Sequence, residues 1–265
     1  MNKSLVQRQF GAHAQLYATS PVHAKGASLG RLIELVQPQR HWQALDVATG
    51  AGHTALAFAP HLASVVASDL TEEMVQEAAK LAAAKGCSNV RTAHADAEAL
   101  PFPDGGFDLV TCRVAAHHFA DVAAFVAEAF RVLRPGGTLA LVDNIAPDAE
   151  SAAGFSAAEL GEAARAYNAF EKLRDPSHGR CLSMAEWAEL LRRSGFVMQH
   201  EERLSKGMEF TPWVQRMGCD AATIERLRAM LGETAALTAF LKPQWEGGEL
   251  WFTLDEAIII ASKPQ

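Results

Sequence analysis

Two glycines, Gly50 and Gly52, stand where a ligand could approach bare main chain. They follow an apolar run that ends at Val47 and precede a segment that reads as a helix. Glycine permits a tight turn and close approach of a ligand, and the N-terminus of a helix favours negative charge. This spacing indicates a cofactor site, although a plain turn between a strand and a helix would use the same glycines.

Polar residues also end the next two predicted strands. Asp69 stands at the end of the second strand, where a carboxylate can accept hydrogen bonds from both hydroxyls of a ribose. In the alternative interpretation, Asp69 caps the helix that follows. His94, Asp96 and Ala97 end the third strand and offer a polar side chain and backbone groups where an adenine ring would lie. The three sites together favour a nucleoside-containing ligand.

Two histidines and a carboxylate could move a proton. His117 and His118 follow the fourth predicted strand, and Asp143 ends the fifth, at the sheet edge where ligands bind. Histidine titrates near neutrality and suits a general base, which Asp143 could orient or assist. We prefer His118 over His117 for this function. In the alternative interpretation, the histidines cap the following helix and hydrogen-bond its loop.

The elements that must position these residues alternate between strands and helices. Apolar runs predict strands, and apolar positions at helical spacing predict the helices between them. The predicted strands are residues 43–47, 63–68, 90–95, 107–112 and 138–142, and the predicted helices are 71–85 and 121–133. Pro135-Gly136-Gly137 predicts a stop after Arg134. Such alternation implies a parallel sheet with helices on both faces.

The pattern changes after Asn144. Helices are predicted over residues 148–173, 183–194 and 211–240, and two further strands over 196–204 and 248–262. We interpret the strands as a pair that completes the sheet and the helices as a cap. Aromatic residues in this cap could line a pocket for an acceptor, but aromatic residues at helical spacing are more often core. They are Tyr167, Phe170, Trp187 and Trp213.

Composition argues against several classes of protein. Lys and Arg number 24 against 31 Asp and Glu, and this net charge of −7 disfavours a general nucleic-acid binder. We expect no signal peptide, because residues 1–10 contain no apolar region, and no membrane span, because no stretch reaches about 18 apolar residues. The four cysteines are scattered, which predicts a cytoplasmic location and no metal site. The oligomeric state stays open, with a homodimer as one candidate.

Four stretches in order, LDVATGAGHTA, VVASDLTEEM, HADAEALPFPDGGFDLV and RVLRPGGTLALVD, carry a family resemblance over residues 17–144. They resemble the class I S-adenosylmethionine-dependent methyltransferases, in the branch that includes the ubiquinone and menaquinone biosynthesis enzymes (the type 11 domain). Ala48 replaces the first glycine of the family's turn. The resemblance implies methyl transfer from S-adenosylmethionine, with S-adenosylhomocysteine as product, to a small-molecule acceptor.

The pattern along the chain and the resemblance together predict an α/β fold in one domain over residues 1–265. It would be a doubly wound, mostly parallel seven-stranded sheet with an antiparallel last strand and a helical cap. Its parts would be N-terminal helices over the cofactor at 1–40, a cofactor-binding core at 41–146, a cap at 147–194 and 205–247, and a terminal strand pair at 195–204 and 248–262.

The resemblance also implies which residues surround the methionine part of the cofactor. Asp46 would receive its amino group, and the backbone at Arg113 and Val114 would complete the pocket. Tyr17, in a helix that folds over the cofactor, would contact the carboxylate; alternatively, it packs with Phe10. The remaining residues share the turn after the first strand: Ala48, Thr49, Gly50, Ala51 and Gly52.

The nucleoside part would lie against the second and third strands. By resemblance, Asp69 would hold the ribose, with Leu70 and Met74 packing on the ribose and adenine. Asp96 would accept from the adenine amino group, and the backbone of Ala97 would bond the ring.

Two other functions stay open on the sequence. Residues 50–55, GAGHTA, satisfy the GxGxxA pattern of nicotinamide-dependent oxidoreductases. Asp46 inside the strand, the His-Ala-Asp-Ala ending and the Pro-Gly-Gly entry to the fifth strand count against that class. A non-catalytic protein that binds S-adenosylmethionine is the second alternative.

Overall fold

The strands of the described chain form one sheet of eight. The computed structural model describes residues 3–11, 14–15 and 26–265. The strands are β1 (Gln43–Val47), β2 (Ser64–Asp69), β3 (Val90–His94), β4 (Phe107–Arg113), β5 (Leu133–Asn144), β6 (Val197–Glu209), β7 (Gln244–Glu246) and β8 (Glu249–Ser262). Their order is β3-β2-β1-β4-β5-β8-β6, with β7 paired to β8. The sheet is mostly parallel with an antiparallel edge, which confirms the predicted fold class; β7 is an additional short strand.

Parallel pairing brings the carboxyl ends of the first four strands to one edge. β1 pairs with β2 and with β4, and β2 pairs with β3. In this register Asp46 lies opposite Thr111 of β4, and Asp69 lies opposite His94 of β3. The chain therefore leaves each of these strands at the same edge, and the predicted site residues follow there.

Contacts within the chain group its residues into two compact units. The first comprises Met1–Asp143, Ala188–Glu202 and Ile258–Gln265, and the second comprises Asn144–Trp187 and Arg203–Ala257. The prediction of one domain with the boundaries given above stays a prediction. No helix among the described residues combines the length and apolarity that crossing a bilayer requires.

Five helices of the described chain belong to the first unit. They are α1 (Lys3–Gly11), α2 (Ala27–Val36), α3 (His53–Phe58), α4 (Glu72–Ala84) and α5 (Val122–Val132). Short 3-10 turns cover Ala59–His61 and Ala116–His118. α5 begins where the Asp121 side chain accepts a hydrogen bond from the Ala124 N–H at 3.0 Å, and its apolar positions 125, 126, 129 and 132 are buried. The predictions of helices at 71–85 and 121–133 are confirmed to within a residue at each end.

β5 begins five residues before the predicted start at 138. Pro135, Gly136 and Gly137 therefore lie inside the strand and do not precede it. The pairing of β4 with β5 shifts register between Phe107 and Leu109, and Gly136 adopts a φ of 74°. A bulge of this kind admits extra residues into a strand. The segment Pro135-Gly136-Gly137, predicted to separate the helix from the strand, therefore belongs to β5, which begins directly after α5.

The five remaining helices are α6 (Ala157–Arg174), α7 (Met184–Arg193), α8 (Phe210–Gln215), α9 (Ala221–Met230) and α10 (Ala235–Leu241). α7 crosses the boundary between the two units, and the other four lie within the second unit. α6 starts later than residue 148 because a capping box at Ser156 and Glu159 begins it, and the Asp148 carboxylate instead closes a turn with the N–H of Ser151. A second capping box begins α7, since the Ser183 N–H donates to the Glu186 carboxylate at 2.8 Å and the Glu186 N–H donates to the Ser183 hydroxyl at 3.3 Å.

The second unit has an aromatic core. Phe170 stacks on Trp213 with ring centroids 4.9 Å apart, and Tyr167 meets Phe240 edge to face at 5.3 Å. All four rings are at most 1% exposed. Three of the aromatic residues predicted for the cap, Tyr167, Phe170 and Trp213, are therefore core residues of this unit, and Trp187 is also buried.

Candidate active site

A cavity lies at the carboxyl ends of β1 to β4 in the first unit. Its empty space, open mouth included, is about 1020 Å³. Most residues predicted to hold a cofactor or substrate lie on its wall: Ala48, Thr49, Gly50, Ala51, Asp69, Leu70, Met74, Asp96, Ala97, Arg113, Val114 and His118. Four others, Asp46, Gly52, His117 and Asp143, are not among the described lining residues. Tyr17 lies outside the residues that the structure describes.

The turn after β1 is built from left-handed backbone. Ala48, Gly50 and Gly52 have φ angles of 51°, 55° and 89°. A Cβ on Gly50 would meet nothing within 4 Å, whereas a Cβ on Gly52 would come within 3.1 Å of the Ala78 Cβ in α4. Gly50 therefore leaves space at the cavity wall, and Gly52 lets the turn pack against α4. Ala48 holds a conformation that costs a residue with a side chain about 1 kcal/mol.

Asp46 braces this turn from behind. Its carboxylate is 1% exposed and accepts hydrogen bonds from the Thr49 hydroxyl at 2.5 Å, the Thr111 hydroxyl at 2.6 Å and the Ala55 N–H at 3.1 Å. Burial raises the pKa of Asp46 to about 6, while these bonds and Arg113 act to lower it. The structure thus places Asp46 under the turn, where it fixes Thr49 at the cavity wall.

Asp69 stands on the cavity wall with both oxygens partly engaged. Oδ2 accepts from the Gly50 N–H at 2.8 Å, and Oδ1 accepts from the Thr71 N–H at 2.9 Å. Burial raises the pKa of Asp69, with these backbone bonds opposing the rise. Thr71, and not Asp69, occupies the cap position of α4. Each carboxylate oxygen can accept a further hydrogen bond, so the side chain can still bind a ligand.

Arg113 ends β4, Val114 follows it, and both line the cavity. Arg113 Nε donates to the Thr54 hydroxyl at 3.0 Å, which fixes the guanidinium near the turn. Val114 has a φ of 55°, an unfavourable conformation for a β-branched residue, and its N–H donates to the Val142 carbonyl at 2.7 Å. Such strain is typical of functional sites.

The predicted base residues lie together. The His117 Nδ1 and Asp143 Oδ1 atoms are 2.6 Å apart, and both side chains are buried. The His118 ring lies on the cavity wall, with its centroid 4.2 Å from that of His117. Asp121 caps α5, so the alternative in which the histidines cap that helix does not hold.

α1 supplies wall residues that the sequence interpretation did not include. They are Lys3, Val6 and Phe10. Lys3 Nζ lies 2.5 Å from Asp96 Oδ2 and 2.8 Å from Glu98 Oε2. Partial burial acts to lower the pKa of Lys3, but the bonds to the two carboxylates outweigh it and raise the pKa. No local pattern signals these contacts, because the partners are more than 90 residues apart in sequence.

Comparison with known proteins places the chain in a family. The family model described as "Methyltransferase domain" matches residues 45–141. The "Uncharacterized methyltransferase YcgJ" of Bacillus subtilis is 38% identical over 212 residues, which cover 80% of this chain and 79% of that protein. The chain belongs to the methyltransferase family.

Two further similarities locate this methyltransferase among its relatives. The crystal structure of YcgJ superimposes with a TM-score of 0.81 at 33% identity, over 90% of this chain and 98% of that chain. A demethylmenaquinone methyltransferase of Thermus thermophilus is 40% identical over 115 residues, or 43% of this chain and 52% of that protein. The matched residues of the family model contain the turn, Asp69, Asp96 and the histidine pair, so the cavity wall lies in the matched part of the methyltransferase except for the residues of α1.

Proposed function

We propose that the protein transfers a methyl group from S-adenosylmethionine to a small-molecule acceptor. The observation that carries this proposal is the cavity that unites the left-handed turn at Gly50 with Asp69 and Asp96. Family membership implies the cofactor, and the wall residues fit it.

The fit can be followed from one end of the cofactor to the other. Asp69 offers acceptors for ribose hydroxyls, and Leu70 and Met74 offer apolar surface for the ribose and adenine. Asp96 offers an acceptor for the adenine amino group. The guanidinium of Arg113 lies near the turn and suits the methionine carboxylate, which the sequence analysis assigned to Tyr17.

The chain's own residues would align the reactants and remove a proton. When bound, S-adenosylmethionine would supply a methyl group carried on a sulfonium. Transfer of that methyl group to the acceptor leaves S-adenosylhomocysteine, a neutral thioether. His118, on the cavity wall, would accept the proton of a hydroxyl or carbon acid as that group attacks. The Asp143 carboxylate would accept a hydrogen bond from His117 Nδ1–H and so hold the ring that packs on His118.

Binding of the cofactor is the first test. Isothermal titration with S-adenosylhomocysteine should show binding that Asp69→Asn weakens roughly 10- to 100-fold, because hydrogen bonds to a charged acceptor contribute about 1.5–3 kcal/mol. Asp104→Asn is the matched control, since Asp104 is an exposed carboxylate paired with Arg131. Absence of binding by the wild type, or equal effects of the two variants, would contradict the proposed site.

Methyl transfer is the second test. Incubation of the protein with a small-molecule extract and methyl-labelled cofactor should give a labelled product. His118→Gln should then lower turnover roughly 100-fold or more while changing cofactor affinity much less. Cofactor binding without any labelled product would indicate the non-catalytic alternative. Unchanged turnover in both His118→Gln and His117→Gln would contradict the proposal that a histidine of this pair is the general base.

The same proposal includes a cytoplasmic location and no nucleic-acid partner. Its supports are four free thiols and the net charge of −7. Identification of the labelled product would show whether the acceptor atom is oxygen, carbon or nitrogen. A sedimentation measurement would show whether a homodimer forms.

A further inference from the structure

One face of α1 contacts the cavity wall at three places. Lys3 pairs with Asp96 and Glu98, the Gln7 side chain donates to the Leu70 carbonyl at 3.1 Å, and the Phe10 ring meets His118 edge to face at 4.9 Å. No residue of α1 is buried. Because no residue of this nine-residue helix is fully buried and so short a helix is marginal on its own, these contacts help to hold it in place.

The two carboxylates that Lys3 bridges differ in how firmly they are held. Glu98 Oε1 accepts from the N–H groups of Ala120 at 2.7 Å and Asp121 at 3.0 Å, so Glu98 is fixed even without Lys3. Asp96 Oδ1 accepts from the Glu98 N–H at 3.0 Å, and Asp96 Oδ2 meets Lys3. Lys3 therefore engages the Asp96 oxygen that no backbone group uses among the described residues.

We propose that Lys3 is a specificity-determining residue that competes with the adenine amino group for Asp96 Oδ2. The inference rests on the proposed function, which assigns Asp96 to that amino group. An incoming adenine amino group would have to share Asp96 Oδ2 with the ammonium of Lys3, which also keeps its contact with Glu98. A shared oxygen is a weaker acceptor for each of its two donors. The net gain from the amino group is thus smaller than Asp96 alone would give, and Lys3 lowers the preference for an amino-bearing purine.

A ratio of two affinities isolates this competition. The ligands are S-adenosylhomocysteine and its purine-riboside analogue, which carries hydrogen in place of the amino group, and both dissociation constants come from isothermal titration. Loosening of α1 would change both affinities alike and leave their ratio unchanged. Lys3→Met should raise the preference for S-adenosylhomocysteine about two- to fivefold, the effect of a half-exposed ion pair.

Three controls make the outcome decisive. Lys3→Arg keeps the charge and should retain the wild-type ratio. Lys80→Met removes a comparable lysine that pairs with Glu77 away from the cavity, and it should leave the ratio unchanged. In the Asp96→Asn background, Lys3→Met should no longer affect the ratio. An unchanged or lower ratio in Lys3→Met, or an equal rise in the Asp96→Asn background, overturns the inference while S-adenosylhomocysteine binding still supports the proposed function. If the wild type binds neither ligand, the proposed function fails, and the inference fails with it.

Discussion

Asp46→Asn should change how the stability of the protein depends on pH. Asn has the shape of Asp and can keep the brace under the turn. Its carbonyl oxygen can accept from Thr49 and Ala55, and its amide can donate to the Thr111 hydroxyl. The substitution therefore removes the titration of this buried group with little loss of hydrogen bonding.

The magnitude follows from the pKa of Asp46. Burial raises it from 3.8 to about 6 in the folded protein, and each pKa unit corresponds to about 1.4 kcal/mol. A carboxyl with a higher pKa in the folded state holds its proton more tightly there. The stabilising effect of that proton is present at low pH and is lost as the pH rises through about 6. As the pH rises from below 3.8 to above about 6, the free energy of unfolding of the wild type should fall by roughly 3 kcal/mol relative to that of Asp46→Asn.

The assay is chemical denaturation of both proteins, followed by far-UV circular dichroism at several values between about pH 4 and pH 7. Other titrating groups, Asp69 among them, are present in both proteins, so their contributions cancel in the difference between the two unfolding free energies. Most of the expected change falls inside this range. A difference that stays constant with pH would refute the assignment of a raised pKa to Asp46.

Four further substitutions should lower the free energy of unfolding, each measurable by the same denaturation. Gly52→Ala should cost about 2 kcal/mol, since it adds contact with Ala78 to left-handed strain, whereas Gly50→Ala meets open space and should cost about 1 kcal/mol; equal losses would argue against the packing role of Gly52. Asp121→Ala removes the cap of α5 and should cost about 1 kcal/mol; no loss would mean that the cap bond contributes little. Phe240→Ala empties part of the second unit's core and should cost roughly 3–5 kcal/mol, so a loss below about 1 kcal/mol would contradict its tight packing.

The cavity edge could be predicted because its signals are local. Asp69 ends β2 and Asp96 follows β3, and parallel strands bring their carboxyl ends to one edge without further information. The sequence also identified the turn at Gly50, since glycine spacing after a strand is visible in a few residues. The side of the turn that a carboxylate faces does not follow from the neighbouring residues in sequence. The position of Asp46 behind the turn therefore could not be predicted.

Contacts between distant segments could not be predicted in the same way. Lys3 meets Asp96 through packing of α1, and nothing in the first ten residues specifies that partner. The start of β5 was misplaced because a bulge lets Pro135 and the glycines remain in the strand, against their usual effect. For the histidine pair, the alternative of capping α5 fails because Asp121 caps that helix, and the role as a base stays a prediction.

The buried aromatic core has a practical consequence for spectroscopy. Of the five tryptophans, Trp42 belongs to the unit with the cavity, and the other four belong to the second unit. Trp187 and Trp213 are shielded from water, whereas Trp245 is 68% exposed. Intrinsic fluorescence therefore reports mainly on the second unit, and a shift of its emission on heating would mark the melting of that unit.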